Sequence, residues 1–199
     1  PRPDPREARM TATSSSLSLV LLGPPGSGKT TQARALADAY QLPLISTREM
    51  LRAEIEGDTA LGRQAKHGME RGELVSDRVM SAMILQRLDR RDCRRGFILD
   101  GYPRSSAQAV LLDGILAELG RTIDRVVLLD LPEEVALDRL RAAEPEEAVH
   151  ERFQVWRDNA PALIESYRSR GVLLEVDGGD PESQVRGAVM QAVGAPVGA

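Results

Sequence analysis

Short apolar runs alternate with amphipathic stretches along most of the chain. The runs lie near 17–22, 43–45, 96–99, 124–130 and 172–176, and their lengths are typical of buried strands. Between most of them, apolar residues recur at helical spacing. This alternation predicts an α/β fold, in which a parallel five-stranded sheet has helices on both faces.

The segment between about 46 and 95 departs from this alternation. It keeps a helical pattern throughout and contains no apolar run typical of a strand. We therefore predict helices inserted above the sheet, within one domain that extends over 17–194. Residues 1–16 combine three prolines with charged and hydroxyl residues without periodicity, which predicts a disordered leader. A flexible tail is expected at 195–199.

Composition limits the classes of partner. The 199 residues suit one domain, since a domain of this size buries about 70% of the surface that its unfolded chain exposes. With 26 Lys and Arg against 30 Asp and Glu, the net charge is -4, and no basic field favours nucleic acid. The apolar run at 17–22 is far shorter than the ~20 residues of a membrane span. We expect neither a nucleic-acid nor a membrane partner.

The few cysteines and histidines argue against a disulfide and against a Cys/His metal site. Cys93 is the only cysteine, so no intramolecular disulfide can form. His67 and His150 have no companion cysteines for a typical metal set. This usage is typical of a reduced, cytoplasmic protein, and we expect a monomer.

The strongest motif follows the first apolar run. Residues 23–30 read GPPGSGKT and match GxxxxGK[ST], with a predicted strand before them and a predicted helix after them. Glycines let successive backbone N–H groups approach phosphate oxygens at a helix N-terminus, whose dipole also favours negative charge. Lys29 can then reach the β- and γ-phosphates, and the Thr30 hydroxyl can bind Mg²⁺. The motif predicts ATP binding and phosphoryl transfer.

A carboxylate ends the third predicted strand. Residues 97–104 read FILDGYPR, so Asp100 lies where the strand meets a turn. Ligands of α/β sheets bind at this edge, where Asp100 could order Mg²⁺ through water. An ordinary Asp-Gly turn would have the same local sequence, and the presence of the phosphate loop favours the magnesium role.

Four segments together resemble the adenylate kinase family of P-loop nucleoside monophosphate kinases. They are GPPGSGKTTQ at 23–32, ISTREMLR at 45–52, FILDGYPRSSAQ at 97–108 and ERFQVWRDNAPALIESY at 151–167. The resemblance implies a P-loop NTPase-type sheet, a small helical insertion at about 46–75 that binds the nucleoside monophosphate, and a mobile lid. It also implies transfer of the γ-phosphate of Mg-ATP to AMP, which gives two ADP.

The resemblance also implies roles for individual residues. The transferring phosphoryl group would be held by Lys29, Arg104, Arg139 and Arg152, and Mg²⁺ by Thr30 and, through water, Asp100. The positions that match ATP-binding residues are Gly23, Gly26, Ser27, Gly28, Lys29, Thr30, Thr31, Arg139 and Gly178. The positions that match AMP-binding residues are Thr47, Arg52, Val75, Gly101, Arg104 and Gln108.

Two of the acceptor positions indicate which nucleotide is preferred. Pyrimidine-specific relatives usually carry alanine at the Thr47 position and asparagine at the Gln108 position, so this pair favours AMP over UMP or CMP. The acceptor positions also have purely structural explanations. Residues 46–49 form a capping-box pattern that would begin a helix, Arg52 could pair with Glu56 at i,i+4, and a helical glutamine is usually solvated.

The lid departs most from the family. The segment at about 140–147 leads almost directly to the helix that holds Arg152, so most of the usual lid loop is absent. Ala143 lies four residues after Arg139, where the family has a second arginine. Arg141 could replace it only if the helix ended between the two, because residues two apart on a helix differ by about 200°. We expect weaker phosphate clamping and a site more open to water.

Two smaller departures lie near the phosphates. Thr30 stands where the family commonly has glycine after the lysine, so magnesium binding could be more direct here. Arg48 replaces another common glycine at the entrance of the insertion. It adds a cation either near the acceptor site or on the surface, and the sequence does not distinguish between these places.

Three functions follow from these patterns. The first is an adenylate kinase-like enzyme with a short lid. The second is a P-loop kinase for another small acceptor, such as UMP, CMP or a metabolite. The third is a nucleotide sensor that has lost most catalysis together with most of its lid.

Overall fold

The computed structural model describes residues 16–70, 75–141 and 145–194, with the side chains of 68–70 excepted. The predicted leader apart from Ser16 lies outside the described residues. The predicted tail and residues 142–144 of the predicted lid lie outside them as well. The boundaries proposed for the leader, the insertion, the lid and the tail stay predictions.

Five strands form one parallel sheet. They are β1 Leu17–Leu22, β2 Leu44–Ser46, β3 Gly96–Asp100, β4 Arg125–Asp130 and β5 Leu173–Asp177, each within one residue of the apolar run that predicted it. Their order across the sheet is β2-β3-β1-β4-β5. All four pairings are parallel, which requires crossover connections. The predicted α/β fold is confirmed.

Helices supply these crossovers. They are α1 Lys29–Tyr40, α2 Thr47–Glu56, α3 Ala60–Glu70, α4 Asp77–Leu88, α5 Ser106–Glu118, α6 Glu133–Leu140, α7 Glu146–Ser169 and α8 Glu182–Val193, with a short 3₁₀ helix at Arg91–Arg95. Three of them begin after a serine whose hydroxyl accepts a first-turn backbone N–H. These caps are Ser46 for α2, Ser76 for α4 and Ser105 for α5.

The two faces of the sheet pack against different helices. Alternate strand side chains point to opposite faces, so Val20 and Leu22 belong to one core cluster while Leu19 and Leu21 belong to the other. The first cluster includes residues of α4, α5 and α7, and the second includes residues of α1 and α8. Helices on both faces were predicted, and this arrangement confirms them.

The segment predicted to be strandless consists of α2, α3, α4 and the 3₁₀ helix. Within its described residues, no strand occurs between Ser46 and Gly96. Its own small core contains Ala65, Val79 and Met83, with Val75 packed against it. None of the helices in the described ranges is both long enough and apolar enough to cross a membrane.

Candidate active site

The carboxyl edge of the sheet gathers the segments that the sequence singled out. Gly23 follows β1, Asp100 ends β3, and Gly178 follows β5. Arg139 lies on α6, which follows β4. The carboxyl ends of parallel strands meet at one edge, where α/β sheets bind ligands.

Backbone conformation explains the glycines of the phosphate loop. Gly23, Gly26 and Gly28 have φ angles of 149°, 76° and 83°, in the region that glycine tolerates and other residues seldom adopt. Space is also limiting, because a Cβ on Gly23 would lie 2.5 Å from the Leu129 carbonyl oxygen. Gly28 immediately precedes α1, whose first-turn N–H groups have no partner within the helix. The loop therefore has the backbone of an anion-binding site.

Lys29 lies against this loop. Its Nζ donates to the carbonyl oxygens of Gly23 at 2.7 Å and Pro24 at 2.6 Å, and to Ser27 Oγ at 3.3 Å. Burial lowers the Lys29 pKa to about 8, and the nearby Asp100 carboxylate opposes this change. The charges of Arg104, Arg152 and Arg48 lower it further.

Thr30 and Asp100 form the predicted magnesium position. Thr30 Oγ1 donates to Asp100 Oδ2 at 2.7 Å, which joins the start of α1 to the end of β3. Hydroxyl and carboxylate oxygens are ligands that Mg²⁺ accepts, usually with several waters and substrate phosphates. The described residues hold no group of three or more His, Cys, Asp or Glu suited to a metal. The pair thus fits an ion bound mainly by a nucleotide and water.

Arg139 connects the phosphate loop with the turn after β5. Its Nη1 donates to the Gly178 carbonyl oxygen at 2.8 Å and more weakly to that of Gly26, at 3.4 Å. Its Nη2 donates to the Gly179 carbonyl oxygen at 2.9 Å. These residues line a cavity of about 470 Å³, together with Thr31, Gln32, Glu182 and others. The cavity adjoins the phosphate loop and could hold a nucleoside.

A tight contact joins the acceptor positions near β3. Thr47 is buried, and its Oγ1 lies 3.5 Å from the Asp100 carbonyl oxygen. Gly101 has a φ of 87°, and a Cβ there would lie 2.7 Å from Thr47 Oγ1. Arg104 Nε donates to the Gly101 carbonyl at 2.9 Å. Thr47, Gly101 and Arg104, all predicted to bind the acceptor, are therefore adjacent.

Gln108 is tied to two neighbours. Its Oε1 accepts the Arg104 backbone N–H at 2.8 Å, and its Nε2 donates to Asp77 Oδ1 at 2.7 Å. Asp77 begins α4, two residues after Val75. Gln108 thus links the start of α5 to the segment that holds Val75, and it is not merely solvated.

Arg52 lies on the surface of the insertion. Its side chain is 75% exposed and pairs with Glu56, with 3.5 Å between Nε and Oε1. This i,i+4 pair is the structural explanation that the sequence offered.

Four cations surround the start of α1. The charges of Arg104, Arg152 and Arg48 all act on Lys29, and those of Arg48 and Arg152 lower the Arg104 pKa, after burial as the main cause. Asp100 is the carboxylate that acts on both Lys29 and Arg104. The structure thus joins three of the four cations predicted to hold the phosphoryl group, while Arg139 lies at the adjoining cavity.

Comparison with known proteins gives one family. A family model described as adenylate kinase matches residues 21–172. The chain belongs to the adenylate kinase family. It is 44% identical over 183 residues to an adenylate kinase of Stenotrophomonas maltophilia (strain K279a), with 88% of this chain and 98% of the relative covered. Adenylate kinases of Xylella fastidiosa (strain 9a5c) and Xanthomonas campestris pv. campestris (strain 8004) are 44% and 45% identical over 184 residues, with the same coverage.

This adenylate kinase family membership confirms the predicted family, the predicted phosphotransferase class and the predicted nucleoside monophosphate kinase function. The match includes 98% of the relative's length. The predicted cytoplasmic location and monomeric state stay predictions.

Arg141, the residue considered as a substitute for the missing lid arginine, lies at the end of α6. Helix α6 ends at Leu140, between Arg139 and Arg141, but Arg141 keeps helical φ and ψ angles. Its exposed side chain pairs with Asp138 at 3.4 Å.

Sequence reasoning missed two polar residues at the site. Asp77 accepts a hydrogen bond from Gln108. In the sequence, Asp77 has only the pattern of an ordinary acid in the first turn of a helix. Gln32 lines the donor cavity while 2% exposed, and its Oε1 has no hydrogen-bond partner within the described ranges. The position of Gln32, three residues after the P-loop lysine on α1, was the available signal.

Proposed function

We propose that the protein binds Mg-ATP on the phosphate loop and transfers its γ-phosphoryl group to AMP, giving two ADP. The proposal depends chiefly on the grouping of Arg104 and Arg152 with Lys29 at the phosphate loop, where Asp100 also acts on Lys29. A phosphoryl group in transfer carries negative charge on its oxygens. Fixed cations on several sides stabilise that charge.

The donor side would be formed by the phosphate loop and the cavity beside Arg139. Backbone N–H groups of the loop and α1 bind phosphate oxygens, and Lys29 exchanges the Gly23 and Pro24 carbonyls for phosphate oxygens. Thr30 and Asp100 would hold Mg²⁺, which when bound neutralises phosphate charge. The nucleoside occupies the cavity bordered by Arg139 and Gly178.

The acceptor side would be formed by Thr47, Arg52, Arg104 and Gln108. Arg104 lies within the cation group and holds the AMP phosphate. Arg52 turns from Glu56 to the same phosphate, because an exposed ion pair contributes only a few tenths of a kcal/mol. Gln108 keeps a second Nε2 N–H beside the one given to Asp77, and this N–H can bind the adenine edge.

Positioning and charge supply the catalysis in this account. The attacking group is a phosphate oxygen of AMP, which is already ionised, so no general base is required. The cations hold donor and acceptor oxygens at short distance and in line. Fixed cations that point to the transferring oxygens stabilise the charge that develops there.

An acceptor panel tests the proposal. ADP formation is measured with ATP alone and with ATP plus AMP, UMP, CMP or a deoxynucleoside monophosphate. We expect the largest rate with AMP and little ADP without an acceptor. A preference for UMP or CMP would contradict AMP as the acceptor, and binding of both nucleotides without turnover would indicate a sensor.

A further inference from the structure

Arg48 lies in the first turn of a helix, where a positive charge does not stabilise the fold. It is the second residue of α2, directly after Thr47. The N-terminal end of a helix carries partial positive charge, which favours acidic residues and disfavours a cation. Helix formation therefore does not explain an arginine here.

The backbone places Arg48 at the edge of the phosphoryl-transfer site. Ser46, the last residue of β2, lies level with Asp100 of β3 in the sheet. Thr47 then contacts the Asp100 carbonyl and adjoins Gly101. Arg48 follows one residue later, on the first turn of the helix that leaves this edge.

The charge of Arg48 reaches the reacting groups. Its side chain is exposed at the rim of the site, and among the neighbouring charges it contributes most to the lowered pKa of Arg104. Arg48 forms no ion pair with any residue in the described ranges, whereas its neighbour Glu49 pairs with Arg34. The other groups that face this region are Asp100, Lys29, Arg104 and Arg152. Cations therefore outnumber carboxylates, which favours an anionic ligand.

Arg48 and Arg52 lie four residues apart on α2, so they lie on the same side of the helix. Arg48 is one helical turn, about 5.4 Å, closer to the edge of the sheet. The helix thus presents a row of two arginines that leads toward Lys29. A nucleotide phosphate bound between the insertion and the phosphate loop would therefore lie beside Arg48.

We propose that Arg48 binds the phosphate group of the acceptor nucleotide, beside Arg104 and on the side that faces the phosphate loop. No role carries over to Arg48 from the family, which commonly has glycine there. The inference rests on the proposed function, since it assigns an additional residue to the acceptor site. Arg48 is a phosphate-binding residue in this account, and it also holds the acceptor oxygen toward the donor.

Steady-state kinetics of Arg48→Gln test this role, with Arg48→Lys and Arg94→Gln beside it. Arg94 is an exposed arginine of the 3₁₀ helix before β3, at the opposite edge of the sheet, and its replacement makes the same change of net charge. We expect Arg48→Gln to raise the KM for AMP about 10-fold, the effect of one charge-assisted hydrogen bond. The KM for ATP should change less than about 2-fold, and Arg94→Gln should alter neither constant by more. Arg48→Lys should recover part of the loss.

Adenosine separates phosphate binding from a general disturbance of the acceptor site. It has no phosphate, so its inhibition constant against AMP should be the same in the native protein and in Arg48→Gln. An equal loss of adenosine and AMP affinity would overturn the inference, as would an unchanged KM for AMP or a larger effect on the KM for ATP. If the native protein forms no ADP from AMP, the proposed function itself fails. If the native protein is active and Arg48→Gln has the same kinetic constants, only the proposed role of Arg48 is refuted.

Discussion

The Thr30 hydroxyl donates a hydrogen bond to the Asp100 carboxylate, with 2.7 Å between Oγ1 and Oδ2. The bond connects two segments that are 70 residues apart in the chain. Asp100 is buried and Thr30 is exposed, so the carboxylate is held in place while the hydroxyl can exchange its partner. The pair explains how a strand end and a helix start can act together on one ion.

Asp100→Asn tests this pair. The amide keeps the shape of the side chain but removes the negative charge that orders Mg²⁺ and its water. We expect activity to fall about 10- to 100-fold, the usual effect of losing an outer-sphere partner of a metal. The Mg²⁺ concentration for half-maximal rate should rise. Thr30→Ser, which keeps the hydroxyl, is the matched control and should retain most activity; an unchanged Mg²⁺ dependence in Asp100→Asn would argue against the assignment.

The lowered pKa of Lys29 predicts that nucleotide binding depends on pH. Its pKa in the folded protein is about 8, below the ordinary 10.5, and a bound phosphate should raise it. Binding of ATP above pH 8 should therefore take up protons, and affinity should fall as the pH rises further. Calorimetry in two buffers of different ionisation enthalpy measures this uptake. It should disappear in Lys29→Met, and equal proton uptake in both proteins would contradict the role of Lys29.

The same pKa has a consequence for stability. Between about pH 8 and 10.5 the unfolded chain holds the Lys29 proton and the folded chain has lost it. Stability increases with pH wherever the unfolded state binds more protons. The contribution of Lys29 to the free energy of unfolding should thus rise across this window and stay constant below it. Denaturant titrations of the native protein and Lys29→Met at both ends of the window measure the difference.

The substitution Gly178→Ala should weaken the binding of ATP more than that of AMP. A Cβ there would lie 2.8 Å from the Asp130 carbonyl oxygen and 3.5 Å from that of Ser27, so the turn must move away from the phosphate loop. We expect Gly178→Ala to raise the KM for ATP about 10-fold, as for a loss of about 1.4 kcal/mol, with a smaller effect on the KM for AMP.

Gly187→Ala is the matched control for Gly178→Ala. Gly187 lies on α8, and no atom would come within 4 Å of an added Cβ. Alanine in a helix interior is favoured over glycine by about 0.8–1 kcal/mol, so this variant should be slightly more stable and equally active. A KM for ATP that rises equally in both variants would contradict a specific role for the turn after β5.

Local patterns predicted the sheet closely, because each strand is a short apolar run between turn signals. The apolar run ending at Leu22 became β1 with the predicted bounds, and Gly23 to Gly28 form the loop before α1. The order of the strands was not predicted, because strand pairing joins residues far apart in the chain, such as Leu17 and Gly96. β1 lies in the centre of the sheet, between β3 and β4.

Contacts between side chains were harder to predict from the sequence than the strands were. The capping serine at 46 follows from local sequence, but the bond between Gln108 and Asp77 joins residues 31 apart. The pattern at Arg48 allowed a place near the acceptor site or one on the surface, and its side chain is exposed. Its place was decided by the pairing of β2 with β3, which brings the start of α2 to Asp100. Long-range contacts of this kind leave no periodic signal in the sequence.

The most direct test of the central claim follows the γ-phosphate itself. ATP labelled on the γ-phosphate is incubated with the protein, Mg²⁺ and excess AMP, and the products are separated at early times. The account predicts that the label appears in ADP, with one labelled and one unlabelled ADP formed for each ATP consumed. Label that appears chiefly in inorganic phosphate, at a rate independent of AMP, would contradict it.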